Sequence, residues 1–212
     1  MAFRSFGTSD LSLSERYDVL VNVVTPRPIA LVSTISADGM PNLAPFSYFQ
    51  LGGTSPPSLM ISPTLSPDGI EKDTLVNVSD TGEFVVNIVT REMVEEMNIT
   101  SIRVGPTENE WKLACFTPMA PDIVQPARVA ESPVHLECTV FKIIRHGDGP
   151  SASNYVIGEV VRFHLDEALL DGRRIMGERL HTIGRLGGEN YIDTGVPEQF
   201  RLARPSRPVP RQ

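Results

Sequence analysis

Two runs in the second half of the chain commit it to an antiparallel sheet. Val134 to Arg145 begins as a clean alternation, with Val134, Leu136, Cys138 and Val140 on one face and His135, Glu137 and Thr139 on the other. That is the period of a strand half-buried against a core. Asn154 to Leu165 is a second long run, and the segment between them, GDGPSAS, is rich in turn formers, so the pair predicts a long hairpin. Shorter runs repeat the signal upstream. Pro28 to Ile35 (PIALVSTI) is a nearly continuous apolar, β-branched stretch, and Ala37-Asp38-Gly39 turns it into the extended, aromatic-rich Asn42 to Gln50. Pro45 suits an interrupted or edge strand, which leaves backbone groups free for a ligand. Ser58 to Ser62, framed by prolines, and Phe84 to Val89 are further strands.

Helical signals are short and lie between these strands. Asp73 is placed to cap a helix from Thr74 that Gly82 ends, and Thr90 likewise to cap REMVEEMN, whose Met93, Val94 and Met97 fall at helical spacing and are expected to pack in the core. Thr107 to Glu110 fits a capping box ahead of Trp111, and the proline-rich 117–133 stretch predicts an extended surface crossing. Strands with short helices inserted, and no regular strand–helix–strand alternation, predict a mainly β fold of antiparallel barrel type. With 212 residues, the expectation is one domain over residues 1–200 and a basic, proline-rich tail over 201–212.

Charge and motifs narrow the function. A net charge of −7 disfavours a general grip on nucleic acid or on an anionic membrane surface. No apolar run approaches the roughly 20 residues of a membrane span, and the first residues lack a signal peptide's apolar core, so the expected address is cytoplasmic. Cys115 and Cys138 have no close pairing and read as buried thiols; His135 and Glu137 on one strand face read as a polar, structural pair rather than metal ligands. No nucleophile elbow, zinc helix or phosphate loop occurs, and Gly184-Arg185-Leu186-Gly187-Gly188 lacks dinucleotide-fingerprint spacing. What remains is a concentration of hydroxyls, amides and turns between Ser33 and Asn77. Lys72 and Thr74 flank a helix start whose free N–H groups suit an anion, while Ser33, Thr34 and Ser62 stand at strand ends. On spacing alone a second reading stays open, in which Asp73 merely caps its helix and Lys72 points to solvent. An anion there would also be repelled by the Asp73 carboxylate, so Asp73 is expected to cap the helix or to hold Lys72 or Arg27.

The run PRPIALVSTISADGMPNLAPFSYF, followed in order by PPSLMIS, KDTLVN and GEFVVNIV, closely resembles the flavin reductase-like, FMN-binding split-barrel family, especially its flavoredoxin-type branch. ESPVHLEC, GEVVRFHL and GRLGGENY extend the resemblance over roughly residues 15–195. It implies a homodimer of split β-barrels binding FMN, with NADH or NADPH as a transient donor stacking on the flavin. Carried over by motif, the cofactor-binding positions are Ser33, Thr34, Asn42, Leu43, Ala44, Ser47, Ser62, Lys72, Asp73 and Thr74, with Arg185 and Tyr191 near the site. The resemblance implies an NAD(P)H-dependent flavin reductase that can serve a partner monooxygenase, or else an electron-transfer protein with resident FMN and a protein donor. It assigns no catalytic acid, nucleophile or metal, because hydride transfer to a flavin needs orientation rather than acid–base residues.

Overall fold

A computed structural model describes residues 1–104 and 108–195. The expected tail at 201–212, and Thr107 of the expected capping box, lie outside the described residues. Seven strands form one antiparallel sheet: β1 (Ala30–Ile35), β2 (Pro41–Phe46), β3 (Phe49–Thr54), β4 (Pro57–Ile61), β5 (Glu83–Ile88), β6 (Val134–His146) and β7 (Ser153–Leu165). Their spatial order is β2-β1-β5-β6-β7-β4-β3. The expected long hairpin is β6–β7, paired from Val134↔Leu165 to His146↔Ser153 with two register shifts. Gly158 stands at one of them, and a Cβ there would collide with the ring of fully buried Phe84. The turn at Asp38-Gly39 joins β1 to β2, with Gly39 in the left-handed region at φ 83°. The single extended segment expected over 42–50 is instead two strands, because the chain bends at Ser47 and Tyr48 before pairing with β4.

Alternation along these strands separates two apolar clusters. Ala30, Val32, Phe46, Leu59, Ile61, Phe84, Val86, Cys138 and Val156 point inward to one of them, sealed by Leu75 and Val78 of helix α2 (Asp73–Thr81). Strands from both ends of the sheet order contribute, so the sheet wraps around this core. Leu31 and Leu43, on the opposite face, pack with Met93, Met97, Trp111, Phe116 and Val129. The expected core role of the methionines is met there, on a 3-10 turn at Arg91–Met93 and helix α3 (Val94–Ile99). Helix α4 (Glu110–Leu113) is capped by Asn109, whose side chain accepts from the Trp111 N–H. The helix α1 (Leu13–Val23) was not anticipated, although Ser12 and Glu15 form its capping box.

The outer face of the sheet holds the crossing segment by buried polar groups. Glu137, fully buried, accepts N–H bonds from Asp122 at 2.8 Å, Ile123 at 2.7 Å and Val124 at 3.1 Å, and lies 2.6 Å from His164 Nε2. Asn87 accepts from the Val129 N–H and from His135 Nδ1, each at 2.9 Å. Burial first, then Arg128 and His164, lower the His135 pKa to about 4, so its ring is neutral at pH 7. His135 and Glu137 are thus structural, as expected. Asp122, Glu137 and His164 stand close enough to suggest a metal set, but the Glu137 oxygens are already spent on these bonds and Asp122 pairs with Arg162 at 3.4 Å. Cys138 is buried, but Cys115 is exposed, contrary to expectation: it follows the short α4 in a left-handed conformation that turns its side chain outward.

Candidate functional site

Where β1 and β2 end beside the start of α2, a trough of about 590 Å³ opens, within the size range of ligand pockets. Its walls come from Asn42 and Ala44 of β2, from Lys72, Asp73 and Thr74, from the turn-rich 64–71 segment and from residues 100–104. The strand register explains the first of these. Thr34 faces Asn42 across the ladder on the same side, so the Asn42 amide can donate at once to Thr34 Oγ1 and Thr74 Oγ1, each at 3.0 Å. Asn77 donates to the same Thr34 oxygen at 3.0 Å. This buried amide–hydroxyl chain ties the strand ends to α2, and Thr74, having accepted one bond, keeps its own hydroxyl proton to donate.

Lys72 is the N-cap residue of α2 and Asp73 the first helical one, correcting the expectation that Asp73 caps. The reason is a shift of one residue: Lys72 is extended, and its carbonyl accepts from the N–H groups of Leu75 and Val76. Nor does Asp73 hold Lys72 or Arg27 in an ion pair. The Lys72 ammonium lies 5.4 Å from the centre of the Phe46 ring, without a carboxylate partner among the described residues, and partial burial lowers its pKa. A free ammonium and the open N–H groups of a helix start therefore face one end of the trough. Glu110 is buried at the same wall, and burial first, with Asp73 adding repulsion, raises its carboxyl pKa against the lowering effect of backbone bonds. The rim pairs Arg103–Asp68 and Arg145–Glu71 are largely exposed and contribute little.

The structure gathers Asn42, Ala44, Lys72, Asp73 and Thr74 around this trough and sets Thr34 directly behind it. Ser33 and Leu43 do not face it: alternation turns them to the opposite side, where Ser33 donates to the Ala127 carbonyl and Leu43 packs beside Trp111. Ser47 sits half-buried in the bend between β2 and β3. Ser62 follows β4 with its hydroxyl buried and unpartnered among the described residues. Arg185 and Tyr191 lie apart on a small ladder of Arg27–Pro28, Ile183–Arg185 and Tyr191–Asp193, where the guanidinium stacks 4.7 Å from the ring and bonds its hydroxyl. Arg27 is engaged elsewhere, donating to the Val21, Val24 and Leu186 carbonyls. Sequence reasoning missed Glu110 and the 64–66 and 100–104 walls. The prolines around Thr64-Leu65-Ser66 marked a loop, but only tertiary contact brings it to the helix start.

Comparison with known proteins identifies the family. The sequence model described as "Flavin reductase like domain" matches residues 23–178. The nitrilotriacetate monooxygenase component B of Bacillus cereus superposes with a TM-score of 0.89 at 35% identity, over 95% of this chain and 100% of that one. The Pseudomonas fluorescens 2-nitrobenzoate 2-nitroreductase gives 0.84 at 30% identity, over 96% and 97%. The flavoredoxin of Desulfovibrio vulgaris, at 22% identity and a TM-score of 0.71 over 85% and 92%, shares the fold. A family match over most of the chain, on a fold shared with these structures, places this chain in the flavin reductase-like family.

Proposed function

We propose that the chain is an FMN-dependent flavin reductase: a split β-barrel that holds FMN in the trough and passes hydride from NADH or NADPH to it. The observation that carries this reading is the Lys72 ammonium at the start of α2, without a carboxylate partner among the described residues and with Thr74 and Asn42 beside it. A terminal phosphate suits that corner, since it meets an ammonium, helix N–H groups and a hydroxyl donor together. Ser62 keeps a buried hydroxyl without a partner among the described residues, just ahead of the Thr64–Ser66 wall, though it does not itself line the trough. Thr34 fixes Asn42 from behind, and β2, at one end of the sheet order, has no strand neighbour among the described residues on its outer edge up to the bend at Ser47, which leaves backbone groups for the edge of a planar ring. Asp73 would line the wall beside Lys72, and Ser33 and Leu43 would hold the strands from their opposite face, while Arg185 and Tyr191 stand away from the trough.

Bound FMN supplies the hydride-accepting ring. The protein's own residues orient: Lys72 and Thr74 anchor one end, Asn42 holds Thr74 in place, and Phe46 backs the ammonium. No described residue is needed as a general acid or nucleophile. Residues 1–200 would form one domain, paired with a second copy in solution, and reduced flavin would serve a partner oxygenase. Purified protein loaded with FMN and mixed with NADH or NADPH without air is expected to lose its oxidised-flavin absorbance. Retained colour with both donors would overturn the reductase, and a light-scattering mass near 23.3 kDa in the same sample would overturn the pairing.

A further inference from the structure

A second cleft, of about 1000 Å³, lies between α1 and the 147–153 turn and shares Thr64 and Ser151 with the trough. One wall is a helical stripe of Leu13, Tyr17, Leu20 and Val24, left exposed at 47%, 55%, 57% and 57%. Its charge is the unusual feature. On a chain of net charge −7, the lining carries Arg16 and Arg27 and, among the described residues, no acidic one. The carboxylates of α1 are committed elsewhere: Glu15 caps the helix with Ser12, and Asp18 accepts from Asn22 at 2.9 Å. Arg27 is only 7% exposed, and its guanidinium meets three carbonyls but no carboxylate among the described residues, while its Nε–H has no partner. A buried cation without a counter-charge is costly, and an anion beside it relieves that cost. Tyr48 adds a hydroxyl. Burial first, then the Tyr17 phenol, raise its pKa against the pull of Arg27, so it remains a neutral donor.

We propose that this cleft binds a small aromatic carboxylate, its ring against the Tyr17–Leu20 face of α1 and its carboxylate toward Arg16, Arg27 and the Tyr48 hydroxyl. The apolar stripe and two tyrosines suit a planar body, and the two arginines without an acid select an anion. Continuity with the trough through Thr64 and Ser151 sets such a ligand next to the proposed flavin. The assignment rests on the flavin reading only for that role, because binding itself is measurable without flavin.

Benzoate titrated calorimetrically into flavin-free protein is expected to saturate at one per chain. Benzyl alcohol, which lacks the charge, and acetate, which lacks the ring, are each expected to bind at least tenfold more weakly. Arg16→Glu, at an exposed helix position that should not disturb folding, is expected to weaken benzoate at least tenfold, and Tyr17→Ala severalfold. No saturable uptake, equal uptake of benzyl alcohol, or uptake unchanged in both variants would overturn the assignment. So would failure to bind benzoate together with conversion of a dimer to a monomer by Arg16→Glu, which would make the cleft an interface between copies. FMN titration of the same sample separates the two readings: FMN binding without benzoate binding overturns the aromatic-acid cleft alone, and the reverse overturns the flavin trough alone.

Discussion

Lys72→Ala is expected to weaken FMN binding tenfold to a hundredfold while leaving riboflavin binding nearly unchanged. The ammonium stands beside the start of α2 against the Phe46 ring, with no carboxylate partner among the described residues, so an anionic group in the trough would become its charge partner. A charge-assisted contact of that kind contributes about 1.5–3 kcal/mol, which is the stated range of affinity. Riboflavin keeps the ring and the ribityl chain but lacks the phosphate. Damage to the pocket as a whole would therefore weaken both ligands, whereas loss of the phosphate contact weakens one. Because Lys72 is an exposed residue at a helix N-cap, flavin-free thermal unfolding should barely move. Equal FMN affinity in parent and variant would make Lys72 a solvated side chain and shift the search to Ser62 or a residue of a second copy.

Glu137→Gln is expected to cost about 3–5 kcal/mol of stability, because a buried anion satisfied by several donors is replaced by an amide that must turn its NH₂ toward one of them. For a chain of this size that corresponds to a fall in Tm of roughly 6–20 °C. The pH dependence has a definite sign. Burial alone would raise the Glu137 pKa, but the N–H bonds from Asp122, Ile123 and Val124 and the His164 contact outweigh it and lower the value from 4.5 to about 2. A folded pKa below the unfolded one contributes stability that is complete above about pH 4.5 and is lost as the pH falls toward about 2. That contribution is about 3 kcal/mol. Urea titrations between pH 6 and 2.5 should show the parent losing stability steeply and the variant much less. Parallel curves would remove Glu137 from this role.

Much of this architecture is written in local pattern. The period-2 runs, the Asp38-Gly39 turn and the long hairpin need only side-chain alternation and turn chemistry, and each stands where those rules put it. Gly82 likewise ends α2 in the left-handed region, at φ 72°. The site was less readable because its members depend on which face of a strand looks inward. Ser33 and Thr34 are neighbours in sequence and lie on opposite sides of the sheet, one bonded to Ala127 and the other to Asn42 and Asn77. Motif resemblance carries both over and cannot separate them. Glu110 and the 64–66 wall join the trough only through tertiary contact, with no periodicity to announce it. The α1 stripe was readable from its spacing and from the Ser12–Glu15 box, but that the described residues leave this apolar face exposed is visible only in the fold.

The central claim is that the trough at the start of α2 holds a flavin by its terminal phosphate. Equilibrium titration of the purified, flavin-free protein with FMN and with FAD, followed by the change in flavin fluorescence, tests it most directly. The account predicts saturable binding of both at one site per chain, with FMN the tighter because a terminal monophosphate can sit at Lys72 and Thr74 without burying a second phosphate and an adenosine. Binding of neither flavin, or tighter binding of FAD, would contradict it.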